Sequence, residues 1–174
     1  MNKIEFISSL LDYLTIVSQV IILFLLIILS TKKFDKAVSL IKKKSFKLSL
    51  VVALVATLGS LFYSEIVNYT PCLLCWYQRI FMYPQVILFS IALFLKDKGI
   101  AIYALSLSML GGMLALFHYY IQLSNTKLTS CSTVGYSVSC SDNFIMQFGY
   151  ITIPMMALSA FILISLLMIV SLKK

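Results

Sequence analysis

Two cysteines and an arginine form a pattern that could carry redox chemistry. Cys72 and Cys75 stand three residues apart in the stretch TPCLLCWYQR, and the chain's only arginine, Arg79, follows four residues later. We predict that Thr70 caps a helix and that Pro71 is its first residue, so that the two thiols and the guanidinium share one helical face. The amides at the helix N-terminus and the guanidinium both favour the thiolate form. Such a pair suits thiol–disulfide exchange, although a structural disulfide to another loop would use the same residues.

A second pair of cysteines, Cys131 and Cys140, brackets the small, flexible segment STVGYSVS. A disulfide closing that ring is easily reached, either as a staple of the loop or as a second redox couple. Covalent haem attachment requires C-x-x-C-H, and Trp76 occupies the histidine position after Cys75. The spacing of the second pair is also longer than the about two to four residues between ligands in structural zinc sites. We therefore predict no metal site.

Two further polar residues could serve the same chemistry. His118 is the only histidine and lies in FHYYIQ. A membrane histidine can be a packing residue, but ionisable groups in membrane segments are also functional candidates. Together with Arg79, it could polarise the carbonyl groups of a quinone buried near the CxxC motif. Glu65 could pair with Arg79 or face water, and the sequence favours neither.

The elements that position these residues are apolar helices. Charged residues make up 11% of the chain and the mean hydropathy is +1.01, whereas soluble proteins carry about 25% charge. Each of the apolar runs approaches or exceeds the roughly 17–25 residues that cross a bilayer as a helix. These runs cover residues 13–30, 48–64, 80–95, 100–123 and 151–172. Strand alternation is absent, so we predict an all-α membrane protein with five spanning helices.

Eleven of the fourteen positive charges lie in alternate connections between these helices and at the C-terminus, and only Lys3, Arg79 and Lys127 fall on the opposite side. The eleven are Lys32, Lys33, Lys36, Lys42, Lys43, Lys44, Lys47, Lys96, Lys98, Lys173 and Lys174. By the positive-inside tendency, their side is the cytoplasm. The net charge of +8 is then a topological signal, and we predict no binding to nucleic acid. The N-terminus and both cysteine pairs lie outside the cytoplasm, where disulfides persist.

Shorter features complete the expected arrangement. The first apolar run has no basic region before it and no A-x-A-like cleavage site, so we expect a retained membrane anchor. Residues 34–49 are expected to form a short interfacial helix, and KDKG at residues 96–99 a tight cytoplasmic turn. Pro154 falls in the first turn of the last helix, where its missing N–H is tolerated.

Several stretches together resemble the disulfide bond formation protein B (DsbB) family, and most closely its BdbC-like branch. They are SLFYSEI, PCLLCWYQRIFMYPQVIL, FHYYIQ, the cysteines of the following loop and FGYITIPMMALSAF. The resemblance covers about residues 50–172 in the family's order. It implies a DsbB-like four-helix transmembrane bundle at residues 48–174. One additional N-terminal transmembrane helix and a basic cytoplasmic connection precede it at residues 1–47.

The resemblance also implies an enzyme of the cytoplasmic (inner) membrane that passes electrons to a quinone, either ubiquinone or menaquinone. By position, Cys75 would attack the quinone and Arg79 would stabilise the charged thiolate–quinone state. His118 would line the quinone site. The first helix lies outside the four-helix core of the family.

On the thiol side, the resemblance implies a thioredoxin-like thiol oxidase as partner, similar to DsbA or BdbD. Cys131 would form the mixed disulfide with this partner and Cys140 would resolve it. Cys72 would then exchange with Cys131. The short segment between the two loop cysteines is similar to the BdbC-like branch, and the implied role is disulfide bond formation in exported proteins.

Two other classes of protein stay open at this stage. The vitamin K epoxide reductase group also sets a CxxC motif against a quinone in a small helical bundle, but it carries that motif on its last helices. A non-enzymatic membrane scaffold stapled by disulfides, or a metal carrier, would use the same cysteines.

Overall fold

The structure, a computed structural model, describes residues 3–31, 35–124, 139–141 and 145–173. These residues form five α-helices: α1 (Lys3–Ser30), α2 (Asp35–Leu61), α3 (Leu73–Leu95), α4 (Ile100–Ser124) and α5 (Ile153–Leu172). A π-helical segment, Phe62–Ile66, follows α2 directly. All five helices are long and apolar enough to cross a membrane, and the described residues contain no β-strand. The predicted all-α membrane architecture is confirmed, and the protein is a multi-pass membrane protein.

Helix α5 lies at the centre of the bundle. In its most apolar stretch 56% of the residues are buried, compared with 22–28% in the other four helices. It packs against α4, α2 and α1, whereas α3 packs mainly against α2 and α4. Helices α2 to α5 therefore form a four-helix bundle, and α1 lies against α2 and α5.

Close contacts fix α4 between its neighbours. A Cβ atom at Gly111 would lie 2.4 Å from the ring of Phe161 on α5, so only glycine allows this approach. Toward α3, the hydroxyl of Ser108 donates to Gln85 Oε1 at 3.0 Å, and both residues are fully buried. Small residues and buried polar pairs are the usual means of joining helices in lipid.

The basic segment after α1 is not a separate interfacial helix, so that prediction was wrong. Helix α2 runs without a break from Asp35 to Leu61. Within it, Ile41 and Phe46 pack against the core, and the ring of Phe46 meets the edge of Phe89 at a centroid distance of 6.3 Å. The expected domain boundary after residue 47 falls inside this helix.

One end of the bundle carries lysines and the other carries the CxxC motif. Lys42 donates a hydrogen bond to the backbone carbonyl of Lys173, so the start of α2 meets the end of α5. The predicted turn at residues 96–99 is confirmed: Lys96 is left-handed with a φ of 56°, and the Gly99 amide donates to Asp97 Oδ1 at 2.7 Å. Pro154 lies in the first turn of α5, as predicted. Lys32, Lys33 and Lys174 lie outside the described residues.

Candidate active site

Helix α3 begins with a cysteine as its cap. Cys72 is extended, with φ of −74° and ψ of 172°, and its sulfur accepts the backbone amide of Cys75 at 3.4 Å. The prediction of Thr70 as cap and Pro71 as the first helical residue was therefore wrong by two residues. The physical reason is that the Cys72 sulfur itself satisfies one of the free amides at the helix N-terminus.

The two sulfurs of the CxxC motif are adjacent. Cys72 and Cys75 are free thiols, and their Sγ atoms are hydrogen-bonded at 3.2 Å. Cys72 is buried at 3% exposure, while Cys75 is partly exposed. The pair can close to a disulfide with little movement, as an exchanging redox couple requires.

His118 of α4 lies against Cys72. Its Nε2 atom is 3.6 Å from the Cys72 sulfur, and its Nδ1 atom is 2.9 Å from Gln78 Nε2. An amide nitrogen can only donate, so Nδ1 accepts and the proton lies on Nε2. His118 therefore donates toward Cys72, and both His118 and Gln78 are buried.

These contacts make Cys72 the more acidic thiol at the helix start. The hydrogen bond with Cys75 has the largest effect, followed by the contact with His118, and together they lower the pKa of the Cys72 thiol although burial opposes them. The thiolate that the sequence predicted for the motif is therefore assigned to Cys72.

Cys140 of the second cysteine pair lies beside the same histidine. Cys140 is buried at 1% exposure and disulfide-bonded, and its backbone carbonyl accepts from His118 Nε2 at 3.2 Å. A cavity of about 20 Å³, the size of a single water molecule, lies here and is lined by Cys72, Cys75 and His118 among others. Cys131 lies outside the described residues.

A much larger cavity opens on the other side of Cys75. Its volume is about 430 Å³, and residues of α1, α2, α3 and α5 line it. Cys75, Gln78, Arg79 and Tyr83 form part of its wall, whereas His118 is not among its lining residues. The two functional residues expected beside the CxxC motif thus separate: Arg79 reaches the large cavity and His118 the small one.

Arg79 is held by α2 and by its own helix. Its Nε donates to the hydroxyl of Ser60 at 3.0 Å and one terminal nitrogen donates to the Ser60 carbonyl at 3.3 Å. The guanidinium also lies 5.1 Å from the ring centroid of Trp76. Glu65 is exposed and accepts from the Ser64 hydroxyl at 3.0 Å. The alternative in which Glu65 faces water is the one observed.

Three donor atoms near the motif could also hold a metal ion. The sulfurs of Cys72 and Cys75 and a ring nitrogen of His118 all lie within 4.8 Å of one another. Two thiolates and an imidazole suit zinc or copper(I). Metal analysis of the purified protein separates this use of the residues from the redox use.

Sequence reasoning missed several residues of this site. Gln78 orients His118, Ser60 holds Arg79, and Tyr63 lines the large cavity. Gln78 could have been noticed as a polar residue within a spanning helix. Tyr63 could have been noticed because it lies close to the predicted end of a span. Neither signal tells which side of the CxxC motif a residue faces.

The chain matches known proteins of disulfide bond formation. A family model described as "Disulfide bond formation protein DsbB" matches residues 42–171. Disulfide bond formation protein C of Bacillus subtilis (strain 168) is 46% identical over 123 residues, which cover 69% of this chain and 86% of that protein. Probable disulfide formation protein C 1 of Bacillus anthracis is 44% identical over 122 residues, covering 68% of this chain and 85% of that protein.

A third relative is the SPbeta prophage-derived disulfide bond formation protein B of Bacillus subtilis (strain 168). It is 42% identical over 122 residues, which cover 70% of this chain and 81% of that protein. No solved structure matches the chain. From the family match and these identities, the chain belongs to the DsbB family of membrane oxidoreductases that act in disulfide bond formation.

Proposed function

We propose that this protein is a thiol:quinone oxidoreductase that reoxidises an extracytoplasmic thioredoxin-like thiol oxidase. The observation that carries the proposal is the position of Cys75, which lines both cavities. On one side of it lie Cys72, His118 and the segment with Cys140; on the other lies the large cavity with Arg79. A redox pair in that position can connect a protein thiol to a small lipid-soluble acceptor.

The large cavity fits a quinone in size and polarity. Its volume of about 430 Å³ falls within the roughly 300–1,000 Å³ of small-molecule sites. Apolar residues of four helices suit an isoprenoid tail, and the Arg79 guanidinium and the Gln78 amide can donate to ring carbonyls. Ubiquinone and menaquinone share this chemistry. When bound, the quinone accepts two electrons and two protons.

The thiol side supports exchange with the second cysteine pair. In the proposed sequence, the partner's dithiol reduces the Cys131–Cys140 disulfide, and the resulting dithiol reduces a Cys72–Cys75 disulfide. Each exchange moves two electrons and regenerates a disulfide on the donor. Free thiols at Cys72 and Cys75 and a bonded Cys140 match the stage at which the electrons have reached the CxxC pair.

His118 has a different proposed role from the one that the family resemblance suggested. It contacts the Cys72 sulfur and the Cys140 carbonyl with the same nitrogen. We assign it to stabilising the Cys72 thiolate and to holding the Cys140 segment against it. Arg79 keeps its role beside Cys75, where it stabilises negative charge that develops as Cys75 reacts.

We also propose a membrane and an orientation for the protein. The enzyme would reside in the cytoplasmic membrane with its N-terminus and cysteines outside and its C-terminus inside, and it would support disulfide formation in exported proteins. Residues 48–174 would form the redox unit, preceded by the anchor and basic connection at residues 1–47.

The direct test is a reconstituted reaction. Purified protein is mixed with a reduced thioredoxin-like substrate and a short-tailed quinone, and quinone absorbance is followed. We expect quinol formation by the wild type and none by Cys75→Ala. No quinol from the wild type, or undiminished formation by Cys75→Ala, would defeat the proposal.

The partner can be identified with cysteine variants expressed in cells. In the Cys140→Ala variant, the Cys131 thiolate can attack and break the disulfide of the oxidised partner, and no Cys140 thiol is present to resolve the mixed disulfide that forms. A Cys131→Ala, Cys140→Ala variant is the matched control and should trap nothing. Trapping that persists in the control would assign the contact to Cys72 or Cys75 instead.

A further inference from the structure

Helix α1 forms one wall of the large cavity. The family match begins at residue 42, so α1 lies outside it. The cavity is nonetheless lined by Leu11, Leu14, Thr15, Val17, Ser18 and Ile21 of this helix. Leu11 also lies against Gly59 of α2, where an added Cβ would approach its side chain to 3.2 Å. A ligand that fills the cavity would therefore contact α1.

One face of α1 places an acidic side chain, Asp12, in the interior of the helix bundle. Asp12 is 2% exposed, and its Oδ1 atom has no hydrogen-bond partner among the described residues. Ser8 lies one turn earlier on the same face, and its hydroxyl is 3.2 Å from the Tyr63 hydroxyl. The hydroxyl of Thr15, on the next turn, donates to the Leu11 carbonyl and does not satisfy the acid. Asp12 therefore lies one turn from the hydroxyl group that contacts Tyr63, and its Oδ1 atom has no fixed partner among the described residues.

Tyr63 connects this acid to the cavity. It belongs to the π-helical segment Phe62–Ile66, and such segments are frequent at functional sites. Its side chain is 5% exposed, contacts the Ser8 hydroxyl of α1 and lines the cavity together with Cys75. Tyr69 stacks on it with a centroid distance of 6.1 Å and lines the same cavity.

We propose that Asp12 and Tyr63 form a proton path from α1 into the large cavity. This inference rests on the proposed function, because a quinone reduced by two electrons also takes up two protons. The carboxyl proton of Asp12 passes to the Ser8 oxygen as the Ser8 hydroxyl proton passes to the Tyr63 oxygen, 3.2 Å away. The Tyr63 hydroxyl proton in turn passes to an oxygen of the reduced ligand. Asp12 then regains a proton from water at the end of the bundle that carries the CxxC motif. The two electrons come from the dithiol of Cys72 and Cys75, which becomes a disulfide and releases its own two protons.

A purely structural role explains the acid poorly. An unpaired carboxylate inside a membrane protein is costly, and Asn would fill the same volume without that cost. A carboxyl group that keeps its proton until the ligand is reduced fits the same burial. The geometry thus favours a group that gives and regains a proton over one that only packs.

The test compares Asp12→Asn with Asp12→Glu and Tyr63→Phe. The control is Glu65→Gln, because the Glu65 carboxylate is exposed and belongs to the same π-helical segment. Fully reduced enzyme is mixed with a short-tailed ubiquinone, and single-turnover quinol formation is measured in H2O and in D2O. Removing a general acid typically costs on the order of 100-fold or more in rate. We expect that loss of rate in Asp12→Asn and Tyr63→Phe, and the solvent isotope effect of both variants should differ from that of the wild type. Asp12→Glu should recover most of the rate. Ligand affinity and the exchange rate between the two cysteine pairs should stay within about twofold.

A second readout follows the proton and not the rate of quinol formation. An infrared difference spectrum recorded in time during reduction of the ligand should show a transient loss of a carboxyl C=O band in wild-type enzyme, and this change should be absent in Asp12→Asn and present in Glu65→Gln. Wild-type rates in Asp12→Asn, or the same change of the band in it, would overturn the proton path while the thiol:quinone activity stands. Loss of ligand affinity in parallel with rate would also overturn it, since Asp12 would then only shape the cavity. If the wild type forms no quinol, the proposed function fails first.

Discussion

At the scale of single residues, two cysteines three positions apart have different surroundings. Cys72 caps α3 and lies 3.6 Å from His118, whereas Cys75 reaches the cavity that contains Arg79. Cys72 shares the contact of His118 with the Cys140 segment. We therefore expect Cys72 to exchange with protein thiols and Cys75 to react with the membrane acceptor.

The acidity of Cys72 leads to a pH prediction. Because its pKa is lowered, the thiolate should persist as pH falls, and alkylation of reduced Cys75→Ser enzyme should change little between about pH 8 and about pH 6. An ordinary thiol would lose reactivity about 100-fold over that range. The serine keeps a hydrogen-bond donor next to Cys72. The measurement is the rate of iodoacetamide labelling at Cys72 by mass spectrometry.

His118→Phe and Gln78→Leu are the informative variants of that experiment. Both remove the donation from Nε2, the first directly and the second by freeing the ring, so the midpoint of the labelling profile should rise in each. Gln122→Leu, next to the same small cavity, is a control for altered packing. Unchanged midpoints in the first two variants would mean that His118 does not stabilise the thiolate.

Arg79 gives a prediction on the cavity side. A hydrogen bond to a charged group contributes about 1.5–3 kcal/mol, so Arg79→Met should slow quinol formation by about 10- to 100-fold while thiol exchange is kept. Ser60→Ala removes the hydroxyl that holds the guanidinium at 3.0 Å and should have a smaller effect in the same direction. Stopped-flow absorbance of the quinone measures both. Equal losses in exchange and in quinol formation would argue against a role specific to the cavity.

At the scale of elements, the position of the site depends on how closely the helices approach. Helix α4 carries His118, and its distance from α5 is set by the contact between Gly111 and Phe161. Helix α2 continues into the π-helical segment that carries Tyr63, and its Ser60 holds Arg79 of α3. The functional side chains of three helices are thus placed by helix packing and not by loops.

The Gly111 contact predicts that adding one methyl group at this position lowers the stability of the fold. An added Cβ would lie 2.4 Å from the Phe161 ring, and overpacking of this kind costs about 1–3 kcal/mol. Gly111→Ala should therefore lower the midpoint of thermal unfolding in detergent. Gly112→Ala is the matched control, because its Cβ would lie at an ordinary 3.5 Å from Phe161. Equal midpoints for the two variants would show that α4 and α5 separate freely.

At the scale of the whole molecule, Lys42 of α2 and Lys173 after α5 lie at the end of the bundle opposite the CxxC motif. Lys42 meets the backbone of Lys173 at one end, while Cys72 and Pro154 line the small cavity at the other. Helix α1 adds a wall to the large cavity, so the site spans both the four-helix bundle and the helix outside it.

The opposite positions of these lysines and the CxxC motif predict the orientation of the protein in the membrane. In a chain with serine at the four native cysteine positions, Thr70→Cys should be labelled by an impermeant maleimide in intact cells. Lys98→Cys should be labelled only after permeabilisation, because positively charged connections stay in the cytoplasm. Labelling of Lys98→Cys in intact cells would reverse the orientation and remove the path from an external thiol to the motif.

The sequence by itself determined the features that depend on neighbouring residues. Hydropathy predicted the five spanning helices, and the spacing of Cys72, Cys75 and Arg79 predicted a redox-capable helix start, because both are local properties of the chain. The motif and the stretches around it also indicated the family that the comparisons confirmed. Local rules failed at the helix start by two residues, since the Cys72 sulfur took the cap that was expected from Thr70.

Only the tertiary structure decided which groups meet. The sequence did not tell that His118 faces Cys72 and not the cavity of Arg79, that Ser60 rather than Glu65 holds the arginine, or that α1 brings Ser8 to Tyr63. Each of these contacts joins residues far apart in the chain, and each depends on the rotation and separation of packed helices. In lipid, apolar faces look alike in sequence, so close packing and a few buried polar pairs determine how the helices are arranged.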